Sequence, residues 1–102
     1  MTDKFSSFSD FYPYYLQEHS KNWTKILHFI GTLLSICCIF LFLFNQGSTY
    51  LLMAPIFGYG FAWVGHYFIE KNRPATFQYP LYSLLGDFVM FWQILVGKIK
   101  VV

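Results

Sequence analysis

The feature that most constrains this chain is an uncharged apolar run from Ile26 to Phe44, interrupted by one ionisable side chain, His28. At 19 residues it is long enough to cross a lipid bilayer as a helix. A turn signal at 45–48 separates it from a second apolar stretch. We therefore expect two membrane-spanning helices, residues 24–44 and 49–70, packed as an antiparallel hairpin.

Composition supports an integral membrane protein with all-α structure. Charged residues make up 12% of the 102 residues, against about 25% in an ordinary soluble domain. The net charge is only +2 and the basic residues form no run, which excludes nucleic acid as an expected partner. Lysines or arginines flank both outer ends of the hairpin and are absent from its turn, so we expect those ends to be cytoplasmic.

Two further helices complete the single predicted domain, residues 1–102. Large apolar side chains recur every three or four residues over 8–19, which predicts an amphipathic helix lying in the membrane interface. A third apolar helix is expected over 81–96. At 16 residues it is short for a span, so it could either cross the bilayer or re-enter on the same side.

The hairpin brings its two histidines to one depth. His28 lies about 9 Å along the first span, and His66 lies about 7–8 Å from the same end of the second. Asp87 is expected about 10 Å into the third helix. His19 can join them only if the helix breaks between it and His28, and the polar residues 20–22 supply that break.

Three neutral imidazoles at one level would suit a divalent metal such as iron or zinc. The expected metal ligands and catalytic residues are therefore His19, His28 and His66. Four polar neighbours are expected to support them, most naturally through the outer ring nitrogens: Glu18, Asn22, Glu70 and Asp87. Simpler readings stay open: His19 as an interfacial anchor, His28 as an interhelical hydrogen-bond partner, Asn22 as a helix cap, and Glu70 with Arg73 as a surface ion pair.

An ordered pattern of polar and small residues runs over residues 12–90. It consists of Tyr15-Leu16-Gln17-Glu18-His19, Asn22, Leu27-His28, Gly31-Thr32, Gly65-His66, Phe68, Glu70-Lys71, Arg73-Pro74-Ala75, Pro80-Leu81, Ser83-Leu84 and Asp87. This pattern resembles the Mpo-like 2-hydroxy fatty acid dioxygenases. The Gly-His pair followed by Glu-Lys-x-Arg-Pro-Ala is its most specific part.

The resemblance implies a multi-pass membrane enzyme that uses Fe(II) and O₂ to remove one carbon from a 2-hydroxy fatty acid, as in fatty acid α-oxidation. Arg73 or Lys71 would then hold the substrate carboxylate. The short chain implies a bacterial inner membrane, and the endoplasmic reticulum would apply in a eukaryote. The alternative is a non-catalytic small membrane protein that binds lipid or a structural metal. The oligomeric state is left open.

Overall fold

The computed structural model of the protein describes residues 5–101, whose regular secondary structure is entirely helical, with no strand. Four α-helices follow one another: α1 (Phe8–Gln17), α2 (Asn22–Leu43), α3 (Thr49–Val64) and α4 (Pro80–Leu95). A π-helical segment, Gly65–Glu70, continues α3, and a short 3₁₀ turn, Ala75–Phe77, precedes α4. The all-α fold predicted from the sequence is confirmed in this range, and residues 1–4 and 102 lie outside it.

Helices α2 and α3 form the predicted antiparallel hairpin, held at close approach by small residues. A Cβ added to Gly31 would lie 2.8 Å from the Phe57 carbonyl oxygen, and one added to Gly58 would lie 2.8 Å from Ser35 Oγ. Ser35 Oγ also donates a hydrogen bond to the carbonyl oxygen of Ala54 at 2.5 Å. Small and hydroxylated residues allow this backbone approach between membrane-type helices.

The second predicted span, 49–70, is helical over its whole length but changes type at Gly65. The last six residues form i→i+5 hydrogen bonds, and Lys71 then ends the segment with a left-handed backbone, φ 62°. Among residues 5–101 only α2 is long and apolar enough to cross a membrane. The α-helical part of the second span has 16 residues, so the prediction of two full spans rests on the π-helical extension.

Helix α1 packs back onto α4. Its N-terminus is capped by the Ser7 side chain, which accepts a hydrogen bond from the Asp10 amide at 3.2 Å. The aromatic face expected to lie in the interface is instead buried: Phe11 and Tyr15 form a core with Ala75 and Met90. Tyr15 packs against Gly86 of α4, where a Cβ would lie 3.1 Å from its ring. This packing fixes the position of the residues that follow α1.

The outer surfaces of α2, α3 and α4 remain strongly apolar. The most exposed large side chains include Leu43, Leu52, Ile56 and Leu81, each more than 60% exposed. These side chains are thus mostly uncovered by the packing between the helices. A soluble protein rarely exposes apolar surface on this scale.

Candidate metal centre

The three histidines of the chain converge at the outer end of the hairpin. His19 follows the end of α1, His28 lies in the second turn of α2, and His66 lies in the π-helical segment. They are buried, with exposed fractions of 1%, 3% and 3%. The ring centre of His19 lies 4.4 Å from that of His66 and 5.1 Å from that of His28. The convergence expected from helix depth and from a break after His19 is thus what the fold produces.

Hydrogen bonds determine which ring nitrogens of His19 and His66 are free. The Tyr15 carbonyl oxygen can only accept, so His19 Nδ1 donates to it at 2.7 Å. Asn72 uses its Nδ2 to donate to the Glu18 carbonyl oxygen and to Glu18 Oε1, both at 3.2 Å. Its Oδ1 therefore accepts from His66 Nδ1 at 2.7 Å. Both neutral imidazoles then carry their lone pair on Nε2.

These two Nε2 atoms face each other at 3.0 Å. With both Nδ1 atoms protonated, neither Nε2 has a proton to donate, and two facing lone pairs repel. A cation next to both atoms would remove the repulsion. Two imidazole nitrogens that bind one metal at about 2.1 Å and a right angle are about 3.0 Å apart. The His19–His66 pair therefore fits two positions on one metal ion.

His28 is engaged differently. Its Nε2 lies 2.8 Å from Asp87 Oδ1 and 3.1 Å from the Tyr15 hydroxyl, which itself donates to Asp87 Oδ1 at 2.6 Å. Thr32 Oγ1 lies 3.4 Å from the other nitrogen, Nδ1. Within residues 5–101 no group of three His, Cys, Asp or Glu side chains has the spacing of a metal site. His28 would join the other two only by exchanging its contact with Asp87.

Burial sets the protonation state of the residues contributed by α1 and its C-terminal end. It lowers the pKa of His19 well below the usual range, and the neighbouring His28 and His66 lower it further. Burial likewise raises the pKa of Tyr15 well above its usual value, with Asp87 adding to the effect. His19 is thus a neutral imidazole at neutral pH, the form that binds metals, and Tyr15 is a phenol that can donate a hydrogen bond.

Comparison with known families identifies the chain. A family model described as "2-hydroxy-palmitic acid dioxygenase Mpo1-like" matches residues 5–99. The chain belongs to the Mpo1-like family. A search of curated proteins and a search of solved structures each gave no match. The matched range includes the three histidines, Asp87 and Asn72, so the whole converging cluster lies within the part that defines an Mpo1-like protein.

The other residues predicted to support the histidines differ in whether they contact a histidine directly. Asp87 contacts a ring nitrogen of His28, as expected of a carboxylate partner. Glu18 reaches His66 only indirectly, through Asn72, and burial, followed by the charge of Glu70, raises its pKa. Asn22 is exposed at the first position of α2, and the capping position is Lys21, so the interpretation of Asn22 as a cap is wrong. Its predicted support of the histidines stays a prediction.

Glu70 does not contact a histidine. Its Oε1 accepts from Ser20 Oγ at 2.9 Å, and its Oε2 accepts from the Lys21 amide at 2.6 Å, at the start of α2. The prediction assumed α-helical spacing, in which His66 and Glu70 share a face. The π-helical turn is wider, and Glu70 is directed to the neighbouring helix. It satisfies an N-terminal amide that the α2 sequence itself leaves uncapped.

The two cations expected to hold a substrate carboxylate lie outside the cluster. Lys71 is exposed, and the exposed Arg73 places its guanidinium 4.9 Å from the centre of the Phe77 ring. Pro74 and Ala75, which follow them, are buried and line the cluster instead. The left-handed residue at position 71 ends the helix and redirects the chain, so Arg73 does not continue the helical face that carries His66.

Sequence reasoning missed Tyr15 and Asn72 as members of the site. Tyr15 precedes His19 by one helical turn, and this spacing could have indicated it. Asn72 lies inside the most specific part of the pattern, but its contact with His66 depends on the π-helical turn. No feature of the sequence predicts that turn.

Two cavities adjoin the cluster. A small one of about 10 Å³, close to the size of one water, is lined by all three histidines together with Ser83 and Trp63. The buried Ser83 Oγ and Trp63 Nε1 have no hydrogen-bond partner among the described residues. A larger, mainly apolar cavity of about 270 Å³ lies between α2, α3 and α4. Tyr59 and Asp87 line both cavities.

Proposed function

We propose that this Mpo1-like protein is a membrane-embedded, Fe(II)-dependent dioxygenase that shortens 2-hydroxy fatty acids by one carbon. The proposed ligands are His19, His28 and His66. The observation that carries the proposal is the pair of facing Nε2 atoms at 3.0 Å, with both Nδ1 atoms held as donors. A bound iron ion would supply the one-electron chemistry that reaction with O₂ requires.

The reaction balances with O₂ as the only oxidant. A 2-hydroxy acid, R–CH(OH)–COOH, and O₂ give R–COOH, CO₂ and water. The bond between C1 and C2 breaks, C1 leaves as CO₂, and C2 becomes the carboxyl carbon of the shortened acid. Four electrons pass from the two carbons to O₂.

The chain's own residues have distinct proposed roles around that reaction. Asp87 contacts the His28 ring through the oxygen that also accepts from the Tyr15 hydroxyl, and it would exchange its contact with His28 when that ring binds the ion. Ser83 Oγ and Trp63 Nε1, which lack partners among residues 5–101, are available to donate hydrogen bonds to an oxygen atom of the substrate. They are better placed for this than Arg73 or Lys71, because they line the cavity beside the histidines.

A membrane location is part of the proposal. It is supported by the apolar exterior of α2, α3 and α4 and by the span-length α2 helix. A multi-pass arrangement would place the histidines near the lipid headgroups, where a fatty acid presents its carboxylate. The hydrocarbon tail could then remain among the helices.

The test is iron content and oxygen uptake with 2-hydroxypalmitate in purified protein carrying single changes to Ala at His19, His28 or His66. Each change should abolish uptake and leave a small fraction of the iron. Because losses that act through one ion are not additive, the triple variant should be no worse than a single one. Gln46→Ala, at the opposite end of the hairpin, is the control, with circular dichroism to verify folding. Full iron and activity in His19→Ala would refute the three-histidine site.

A second candidate is a non-catalytic membrane protein with a structural metal or a bound lipid. It is favoured by the contact between His28 and Asp87, which leaves only two histidine nitrogens facing one another. This candidate predicts retained metal but no oxygen uptake with any 2-hydroxy acid. The same measurements on the unmodified protein therefore distinguish the two.

A further inference from the structure

The 270 Å³ cavity is a groove that begins beside the histidines and runs between three helices. Its α2 wall is formed by Thr32, Ser35 and Ile39, which continue the face of the helix that carries His28. On α3 the groove is lined by Ala54, Pro55 and Gly58. The lining is almost entirely apolar apart from the end near Asp87.

The distance from the histidines to the far end of the groove matches one hydrocarbon chain. Ile39 lies eleven residues after His28, which is about 16 Å along the helix axis. The hydrocarbon core of a bilayer is about 30 Å thick and consists of two leaflets, so one acyl chain occupies about 15 Å. The volume is also well above the roughly 150 Å³ at which an apolar cavity accepts benzene.

The groove is polar at one end and apolar at the other, which determines the orientation of a bound ligand. Asp87 and Tyr59 line both the groove and the small cavity at the histidines, so the two spaces adjoin at the polar end. The other end, next to Ile39 and Leu51, carries no charged group. An amphiphile with one polar head and one long tail satisfies both ends, whereas a compact polar ligand leaves the apolar walls unpaired.

We propose that this groove binds the acyl tail of the substrate, with the head at the histidines, and that Ile39 and Leu51 limit the chain length accepted. The proposal rests on the proposed function for the identity of the head group. The tail lies parallel to α2, and its methyl end contacts Ile39 and Leu51. These residues determine specificity and have no part in the reaction itself.

The first test replaces Ile39 by Trp and compares oxygen uptake with 2-hydroxypalmitate and 2-hydroxyoctanoate. Blocking two methylene positions should lower kcat/KM for the longer acid by about 15-fold, since each buried methylene contributes about fourfold. The shorter acid should be unaffected, because it does not reach residue 39. Ile30→Trp is the matched control: residue 30 is nine positions away, on the opposite face of α2. An unchanged ratio of the two kcat/KM values in Ile39→Trp would overturn the proposal.

The second test does not depend on turnover. Palmitic acid with a diazirine near its methyl end, which lacks the 2-hydroxyl group, is photo-crosslinked to the protein in phosphatidylcholine nanodiscs. Labels should map to peptides containing Ile39 or Leu51, and Ile39→Trp should abolish them while Ile30→Trp does not. Labels scattered over the lipid-facing surface would refute the groove. Groove labelling in a protein that takes up no oxygen would instead refute the dioxygenase and leave the groove intact.

Discussion

At the residue scale, the amide of Asn72 decides which nitrogen of His66 is available. Its Oδ1 accepts from Nδ1, and its Nδ2 is anchored on Glu18 of the α1 end. One side chain therefore sets the tautomer of a histidine and links two chain segments that are 54 positions apart. Hydrogen bonds of this kind orient metal-binding histidines in proteins generally.

This role predicts different effects for two substitutions of similar size at position 72. Asn72→Leu removes the acceptor, so His66 can move its proton to Nε2, and we expect iron affinity to fall by about 10- to 100-fold. Asn72→Asp keeps an acceptor next to Nδ1 but loses both donated bonds to Glu18, so its iron affinity should lie between those of Asn72→Leu and the unmodified protein. Titration with Fe(II) under anaerobic conditions measures both. Equal affinity in Asn72→Leu and the unmodified protein would remove Asn72 from the site.

The histidines could be predicted from the sequence because their placement depends only on helical rise and on one break in the chain. His28 and His66 are at matched depths in any antiparallel hairpin with a turn at 45–48. The partners of Glu70 and Asn72 could not be predicted, because they depend on a π-helical turn. A shift from i→i+4 to i→i+5 bonding alters the direction of every side chain after it, and local propensities do not encode that shift.

At the scale of helices, the register of α2 against α3 is set by glycine and serine contacts. Gly31 faces Phe57 and Phe61, and Ser35 donates to the Ala54 carbonyl. The apolar runs and the turn between them predicted both helices of the hairpin. For α2 the predicted bounds, 24–44, differ from the observed range, Asn22–Leu43, by at most two residues. The predicted helix 81–96 corresponds to Pro80–Leu95, where Pro80 begins the helix. Helix–helix register cannot be predicted from such runs, because the exposed and the packed residues of these helices are equally apolar.

We expect Gly31→Ala to weaken the hairpin. The added methyl group would lie 2.8 Å from the Phe57 carbonyl oxygen and from Phe61 Cβ, so the helices must separate. Overpacking of this kind lowers the free energy of unfolding by about 1–3 kcal/mol. Unfolding of the detergent-solubilised protein by increasing SDS would measure it.

Gly60→Ala provides the control for this change. A Cβ at position 60 meets nothing within 4 Å, and alanine favours a helix over glycine by up to about 1 kcal/mol. The variant should match or exceed the stability of the unmodified protein. Equal destabilisation by both alanines would show that close helix packing at Gly31 does not support the fold.

At the scale of the whole molecule, polar and apolar surfaces are separated along the hairpin. The histidine cluster and the contacts of Glu70 with Ser20 and Lys21 lie at the outer end, and the turn at 45–48 lies at the other. Helix α2 has 22 residues and is about 33 Å long, which is long enough to span a hydrocarbon core of about 30 Å. The two ends of the hairpin should therefore face opposite sides of a membrane.

Cysteine labelling in a Cys37→Ser, Cys38→Ser background tests this arrangement. Lys21→Cys and Lys71→Cys should react with a membrane-impermeant maleimide added from the cytoplasmic side, and Ser48→Cys should react only from the other. The lysines flanking the outer end give the direction. Labelling of Lys21→Cys and Ser48→Cys from the same side would contradict the spanning hairpin.

The contacts of Glu70 also have a consequence for entropy. Ser20 and Lys21 form the linker between His19 and α2, and each is held by one oxygen of this carboxylate. Fixing the backbone of a free residue costs about 1–2 kcal/mol, and here that ordering is complete before any ligand arrives. A ligand of His19 would therefore bind an imidazole that is already ordered. Less of its interaction free energy would be spent on ordering the linker, so its affinity would be higher. A surface carboxylate that contacts no histidine thus supports the site through the linker that holds one in place.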